Sequence, residues 1–166
     1  MSFLYSMDED PKRAARRPLL AFLIVTLAVG AFASVFTEPN ISTWYAGLLR
    51  PDFAPPNWVF APVWTTLYAL MAVAAWRVWR VVGLKSLEIG AYALQLIFNF
   101  AWSAIFFAGH RIGLALADIG LLFLLILITT ILFWRRDRIA GLLFLPYLAW
   151  TGFAAALNEA FWALNP

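Results

Sequence analysis

Five stretches of the chain are long and apolar enough to cross a bilayer: Pro18–Phe36, Val59–Trp76, Ile89–Ala108, Ile112–Trp134 and Ile139–Asn158. A spanning helix needs about 20 mostly apolar residues. Lipid offers no hydrogen-bond partner to the backbone, so such stretches must satisfy their amides internally, as helices do. The 64% hydrophobic content and mean hydropathy of +0.81 point the same way, because both lie outside the ordinary soluble range. The expected fold is therefore an all-α integral membrane bundle of five transmembrane helices, at about 18–37, 57–81, 87–108, 112–134 and 139–163. The polar residues 1–17 are expected to be a disordered tail, and 18–166 the membrane domain. Little chain remains for a soluble domain, so any function must sit inside the bundle or at its mouths.

The charges orient this bundle. With the N-terminus cytoplasmic, Lys12, Arg13, Arg16, Arg17, Arg77, Arg80, Lys85, Arg135, Arg136 and Arg138 all fall on the inner side. Only Arg50 and Arg111 fall outside. This positive-inside asymmetry predicts a multi-pass protein of a bacterial cell membrane with its C-terminus outside. It also accounts for the basic pI without a nucleic-acid partner. The first apolar run follows a basic cluster as a signal peptide would, but it is too long for that, and Ser34-Val35-Phe36 is a poor cleavage site.

The functional classes that need obvious equipment are missing it. The chain has no cysteine and a single histidine, His110, so thiolate and multi-histidine metal sites are not expected. His110 in "GHRIG" reads as an interfacial surface residue. No phosphate loop or hydrolytic triad is present. Asp118 is the only ionisable side chain within the five apolar stretches. Facing lipid would be costly, so it should point inward, either as a structural hydrogen-bonding group or as a proton or ligand contact.

The segment between the first two stretches is long for so compact a chain, and "RPDFAPPNWVFAPVWTTLY" packs prolines and aromatic rings together. Helix 1 is expected to end near Thr37-Glu38-Pro39, because proline biases its predecessor away from helical geometry. Asn57 is a suitable N-cap for helix 2, with Pro62 tolerated in the first turn. Val82-Gly83 should end helix 2, and helix 3 should follow Ser86 with Glu88 near its start. Pro146 predicts a kink in helix 5.

Polar side chains inside the stretches mark faces turned toward protein or ligand. At about 100° per residue, Gln95, Asn99, Trp102 and Phe106 share one face of helix 3. Trp64, Tyr68, Met71 and Ala75 share one on helix 2, and Tyr147, Trp150, Ala154, Asn158 and Phe161 one on helix 5. If the three converge, they line an apolar cavity with a few polar handles, suited to a flat hydrophobic ligand. The same amides also serve as interhelical glue in many bundles. Trp44, Trp76, Trp79, Trp134 and Trp162 fit an interfacial belt by position, whereas Trp102 and Trp150 sit deeper.

Three blocks, "WYAGLLRPDFAPPNWVFAPVWTTLY", "LQLIFNFAWSAIFF" and "LPYLAWTGFAAALN", resemble in order and spacing the signature blocks of the TspO/translocator protein family, the tryptophan-rich sensory proteins or peripheral benzodiazepine receptors. The resemblance implies a five-helix bundle, commonly a homodimer, whose pocket opens beneath the loop between helices 1 and 2. It implies porphyrins and haem-type tetrapyrroles as ligands, with no cofactor required and membrane lipid as surroundings. It also implies a role in sensing, carriage or regulation, and for some members porphyrin breakdown. By position, Trp64 and Trp150 match the two tryptophans linked to that breakdown. Tyr68, Gln95, Asn99, Trp102, Leu114, Ala154 and Asn158 match other pocket positions. Arg50, Phe53, Pro55, Pro56 and Trp58 fall in the expected lid, residues 38–56 and the start of helix 2. The lid reads "RPDF" where many members have Lys-Pro-x-Trp. The C-terminal "ALNEAFWALNP" lacks the Tyr and basic residue of the proposed cholesterol pattern, which favours porphyrin over sterol.

Overall fold

The computed structural model describes residues 11–166, with side chains from Arg17 onward; residues 1–10 of the expected tail lie outside the described residues. Five helices follow: α1 Pro11–Ile41, α2 Phe60–Val82, α3 Leu87–Ser103, α4 Ile112–Arg136 and α5 Arg138–Leu164. Each contains a segment long and apolar enough to span a membrane. Short 3₁₀ turns at Tyr45–Gly47 and Asn57–Val59 shape the long connection, and a π-helical turn at Ala104–Ala108 extends α3.

Helix α1 departs from expectation at both ends. It starts at Pro11, inside the expected tail, because proline suits a first helical position and the Lys-Arg-Ala-Ala-Arg-Arg that follows is strongly helix-forming. It also runs through Pro39 to Ile41. Side chains tie this last turn: Asn40 Nδ2 donates to Phe36 O at 2.8 Å and Thr43 Oγ1 to Pro39 O at 2.9 Å.

The helices pack as a closed ring in the order α1, α2, α5, α4, α3 and back to α1. Small residues allow the closest approaches. Gly30 of α1 admits the Tyr68 ring, which a Cβ at that position would strike, and an added Cβ on Gly141 would lie 2.7 Å from the Trp134 side chain. Phe22 meets Trp79 and Phe36 meets Phe100, while Thr26 of α1 hydrogen-bonds Tyr92 of α3. Phe133, Phe144 and Tyr147 fill the interior with edge-on rings. Much of α1 stays uncovered, with Ile24, Phe32 and Val35 exposed, as an apolar helix facing lipid requires.

The end of the bundle that carries most arginines is closed by short, capped connections. Gly83 ends α2 at φ 77°, a left-handed conformation that favours glycine. Ser86 caps α3 by accepting from the Ile89 amide, and Asp137 caps α5 by accepting from the Ile139 and Ala140 amides. The opposite end carries the 42–56 connection and the turn between α3 and α4.

Candidate ligand site

The mixed faces of α2, α3 and α5 meet in the middle of the ring and bond to one another. Tyr68 Oη donates to Asn99 Oδ1; Asn99 Nδ2 donates to Tyr147 Oη at 2.9 Å; Tyr147 Oη donates to Gln95 Oε1 at 2.9 Å. All four residues are buried. The donor direction runs through the series and stops at Gln95, whose Nε2 has no hydrogen-bond partner among the described residues. Gln95 and Asn99 lie four residues apart on one face of α3, which is why a single tyrosine from α5 reaches both.

Flat rings surround this network. Trp64 lies 5.6 Å from Tyr68, ring to ring, and edge-on to Tyr147 at 6.1 Å. Trp150, one turn along α5, meets Phe60 and Phe153 at 5.9 and 5.4 Å, and its indole Nε1 is also buried without a partner among the described residues. Trp102 stacks on Phe106 at 5.1 Å and donates to Asn158 Oδ1 at 3.0 Å, while Asn158 Nδ2 donates to Ile112 O at 3.0 Å. This second polar link fastens α3, α5 and the start of α4 nearer the loop end.

The 42–56 connection lies over that end. Phe53 meets Phe153 edge-on at 6.2 Å, and Leu49 and Asn165 exchange two hydrogen bonds of 2.9 and 3.1 Å. Arg50 turns back on the loop itself, donating to Asn57 Oδ1 at 2.9 Å and Pro55 O at 3.0 Å, with its guanidinium 5.5 Å from the Tyr45 ring. Burial raises the Tyr45 phenol above its usual pKa, an effect the Arg50 charge partly offsets.

Tyr68 and Ala154 lie in one packed cluster with Trp64, Trp102 and Trp150 against its edge, and Gln95 and Asn99 join it through hydrogen bonds. Asn158 joins through Trp102. Two expected site residues lie elsewhere. Leu114 is exposed on the outer side of α4, and Trp58 is 74% exposed, because the 3₁₀ turn at Asn57–Val59 rotates its ring away from the bundle. Asn57 does not cap α2, since its side-chain oxygen is taken by Arg50. The three faces meet as expected, but their own side chains fill the space between them. Recesses open instead on the outside of α1 and α3, lined by Val29, Phe32 and Phe100, and at the arginine-rich end.

Other singled-out residues resolve differently. Asp118 is buried, as its cost in lipid demands, and its Oδ2 has no hydrogen-bond partner among the described residues. His110 is exposed but engaged: it stacks on Trp44 at 4.3 Å and pairs through Nε2 with Asn40 Oδ1 at 3.0 Å. The residues that sequence reasoning left without a role are Gly30, which seats Tyr68, and the Phe60–Phe153 pair flanking Trp150. A glycine in the middle of an apolar span was the available signal for the first.

A closed ring of five apolar helices around a polar, aromatic centre defines a multi-pass α-helical membrane protein. The TspO/MBR family description matches residues 22–163, and the chain belongs to that family. It is 38% identical over 148 residues to the tryptophan-rich protein TspO of Archaeoglobus fulgidus, covering 89% of this chain and 96% of that one. It is 39% identical over 144 residues to the tryptophan-rich sensory protein of Cereibacter sphaeroides, covering 87% and 90%. It is 36% identical over 153 residues to the human translocator protein, covering 89% and 90%.

Proposed function

We propose that the protein is a membrane-embedded binding protein and sensor for porphyrins and related tetrapyrroles, with its N-terminus cytoplasmic and the 42–56 loop on the outer side. One observation carries this reading. Among the described residues, Gln95 Nε2 and Trp150 Nε1 are buried donors without partners, near the Trp64 and Trp150 rings. An unpaired buried donor is costly where no water is at hand, so groups of this kind are rarely left idle. A flat apolar molecule with acceptor atoms at its rim would satisfy the donors and cover the rings together. The name of the Cereibacter sphaeroides relative, a tryptophan-rich sensory protein, agrees with a sensing role.

Binding requires the rings to part. Trp64 leaves its edge-on contact with Tyr147 and Trp150 its contact with Phe60, while the loop lifts by giving up Phe53–Phe153 and the Leu49–Asn165 pair. Each is a small cost, about 0.5–1.5 kcal/mol for an aromatic pair. The macrocycle takes up the vacated ring faces. Protoporphyrin IX titrated into purified protein should quench tryptophan fluorescence saturably. A Trp64→Ala/Trp150→Ala double variant should bind at least about tenfold more weakly, and Trp134→Phe, at the far end, should leave the affinity unchanged. Unaltered affinity in the double variant would rule out this site.

A further inference from the structure

The arginine-rich end holds a recess of about 730 Å³ between the α2–α3 turn and the last turn of α4. Its walls are of two kinds. Val82, Leu87 and Leu132 make one side apolar, and Arg135 and Arg136 make the other cationic. The Arg136 Nε is engaged by Glu88 at 2.7 Å, yet its side chain remains half exposed, so its terminal nitrogens stay available. Arg135 is exposed and forms no ion pair among the described residues. The recess also borders the first turn of α3, whose free amides add positive potential. Val81, Leu84 and Leu87, in and beside the turn, are exposed, an apolar rim suited to the depth where lipid tails give way to headgroups.

We infer that this recess seats an anionic phospholipid, its phosphate on Arg135 and Arg136 and the upper part of its acyl chains against Val82, Leu87 and Leu132. The charge of the site selects an anion, and guanidinium groups suit phosphate oxygens by geometry. The apolar wall selects the lipid over a free anion. That wall continues onto Ile128 and Ile131, which are exposed along α4, so chains leaving the recess run directly into the bilayer. With Glu88 paired to Arg136, the recess keeps one net positive charge, that of Arg135.

The test is retention of lipid by protein solubilised from equal mixtures of phosphatidylglycerol and phosphatidylcholine, read by native mass spectrometry. The wild-type protein should retain phosphatidylglycerol with at least a fivefold preference. Arg135→Gln should reduce this below twofold, and Arg135→Lys should restore most of it. Arg138→Gln removes the same charge from the same end but outside the recess, and should keep the preference. Inorganic phosphate at the lipid's concentration should not displace it. The proposal fails if no preference is seen or if Arg135→Gln keeps it. It also fails if Arg138→Gln loses as much as Arg135→Gln, which would show general surface charge, or if phosphate displaces the lipid, which would show a free-anion site.

Discussion

The two ends of the bundle are closed by different physics. At the arginine-rich end, neighbours in sequence do the work: Gly83 stops α2, Ser86 starts α3, and the single residue Asp137 separates α4 from α5 while capping α5 and pairing with Arg77 at 2.8 Å. At the loop end, contacts come from far apart in the chain, as in Leu49–Asn165, Phe53–Phe153 and Trp44–His110. Capping and ion pairing hold helix ends at fixed geometry. At the loop end the buried Tyr45 packs among Phe106, Phe107 and Phe161, and one exposed hydrogen-bonded pair ties the connection to the last helix. One end is therefore held by contacts local in sequence, and the other by contacts between distant segments.

Substitutions can break this contrast. The largest effect should come from Gly30→Val, which drives a side chain into Tyr68 where that ring is pinned by Asn99. Overpacking of this kind costs about 1–3 kcal/mol, and the thermal midpoint in detergent should fall by several degrees. A midpoint equal to wild type would mean that α1 does not hold the central network.

A smaller effect should follow Asp137→Ala at the arginine-rich end, about 1 kcal/mol for the lost cap. Burial works against ionisation of Asp137, but the Ala140 amide, Arg77 and the Ile139 amide outweigh it and hold its carboxyl below the usual carboxylate range. Its stabilisation is therefore complete above the ordinary Asp value of about 3.9 and is lost as pH falls through the lower folded value. The gap in thermal midpoint between wild type and Asp137→Ala should be constant from pH 7 to 5 and narrow below pH 4. A gap that widens on acidification would contradict the ion pairing described.

The smallest effect should be that of His110→Asn, at the turn between α3 and α4 where His110 adopts φ 52°. Asparagine tolerates that conformation and a β-branched residue does not. His110→Asn should shift the midpoint by only a few tenths of a kcal/mol, and His110→Val by about 1–2 kcal/mol. Equal effects of the two would show that the Trp44 stack, not the backbone, governs this turn.

The contrast also explains what the sequence made readable. The five spans and the inward faces of α2, α3 and α5 follow from the cost of exposing amides to lipid, which acts on every residue and leaves a periodic trace. Gly83 and Ser86 were readable because caps are local. The hub role of Tyr147, the outward turn of Trp58 and the placement of Leu114 on the outer side of α4 were not, since each depends on the rotation of one helix against another. Arg50 shows the same limit. Its position in the loop was plain, but its choice of Pro55 O and Asn57 over an open mouth depends on how the prolines fold the loop back.

The central claim, that the rings and polar groups between α2, α3 and α5 form a tetrapyrrole site, is tested most directly by a structure with protoporphyrin IX bound. The account predicts the macrocycle beneath the 42–56 loop, in contact with the Trp64 and Trp150 rings and accepting a hydrogen bond from Gln95 Nε2 or Trp150 Nε1. A macrocycle found in the lipid-facing groove of Val29, Phe32 and Phe100, with Trp64 still against Tyr147 and Trp150 still against Phe60, would contradict it.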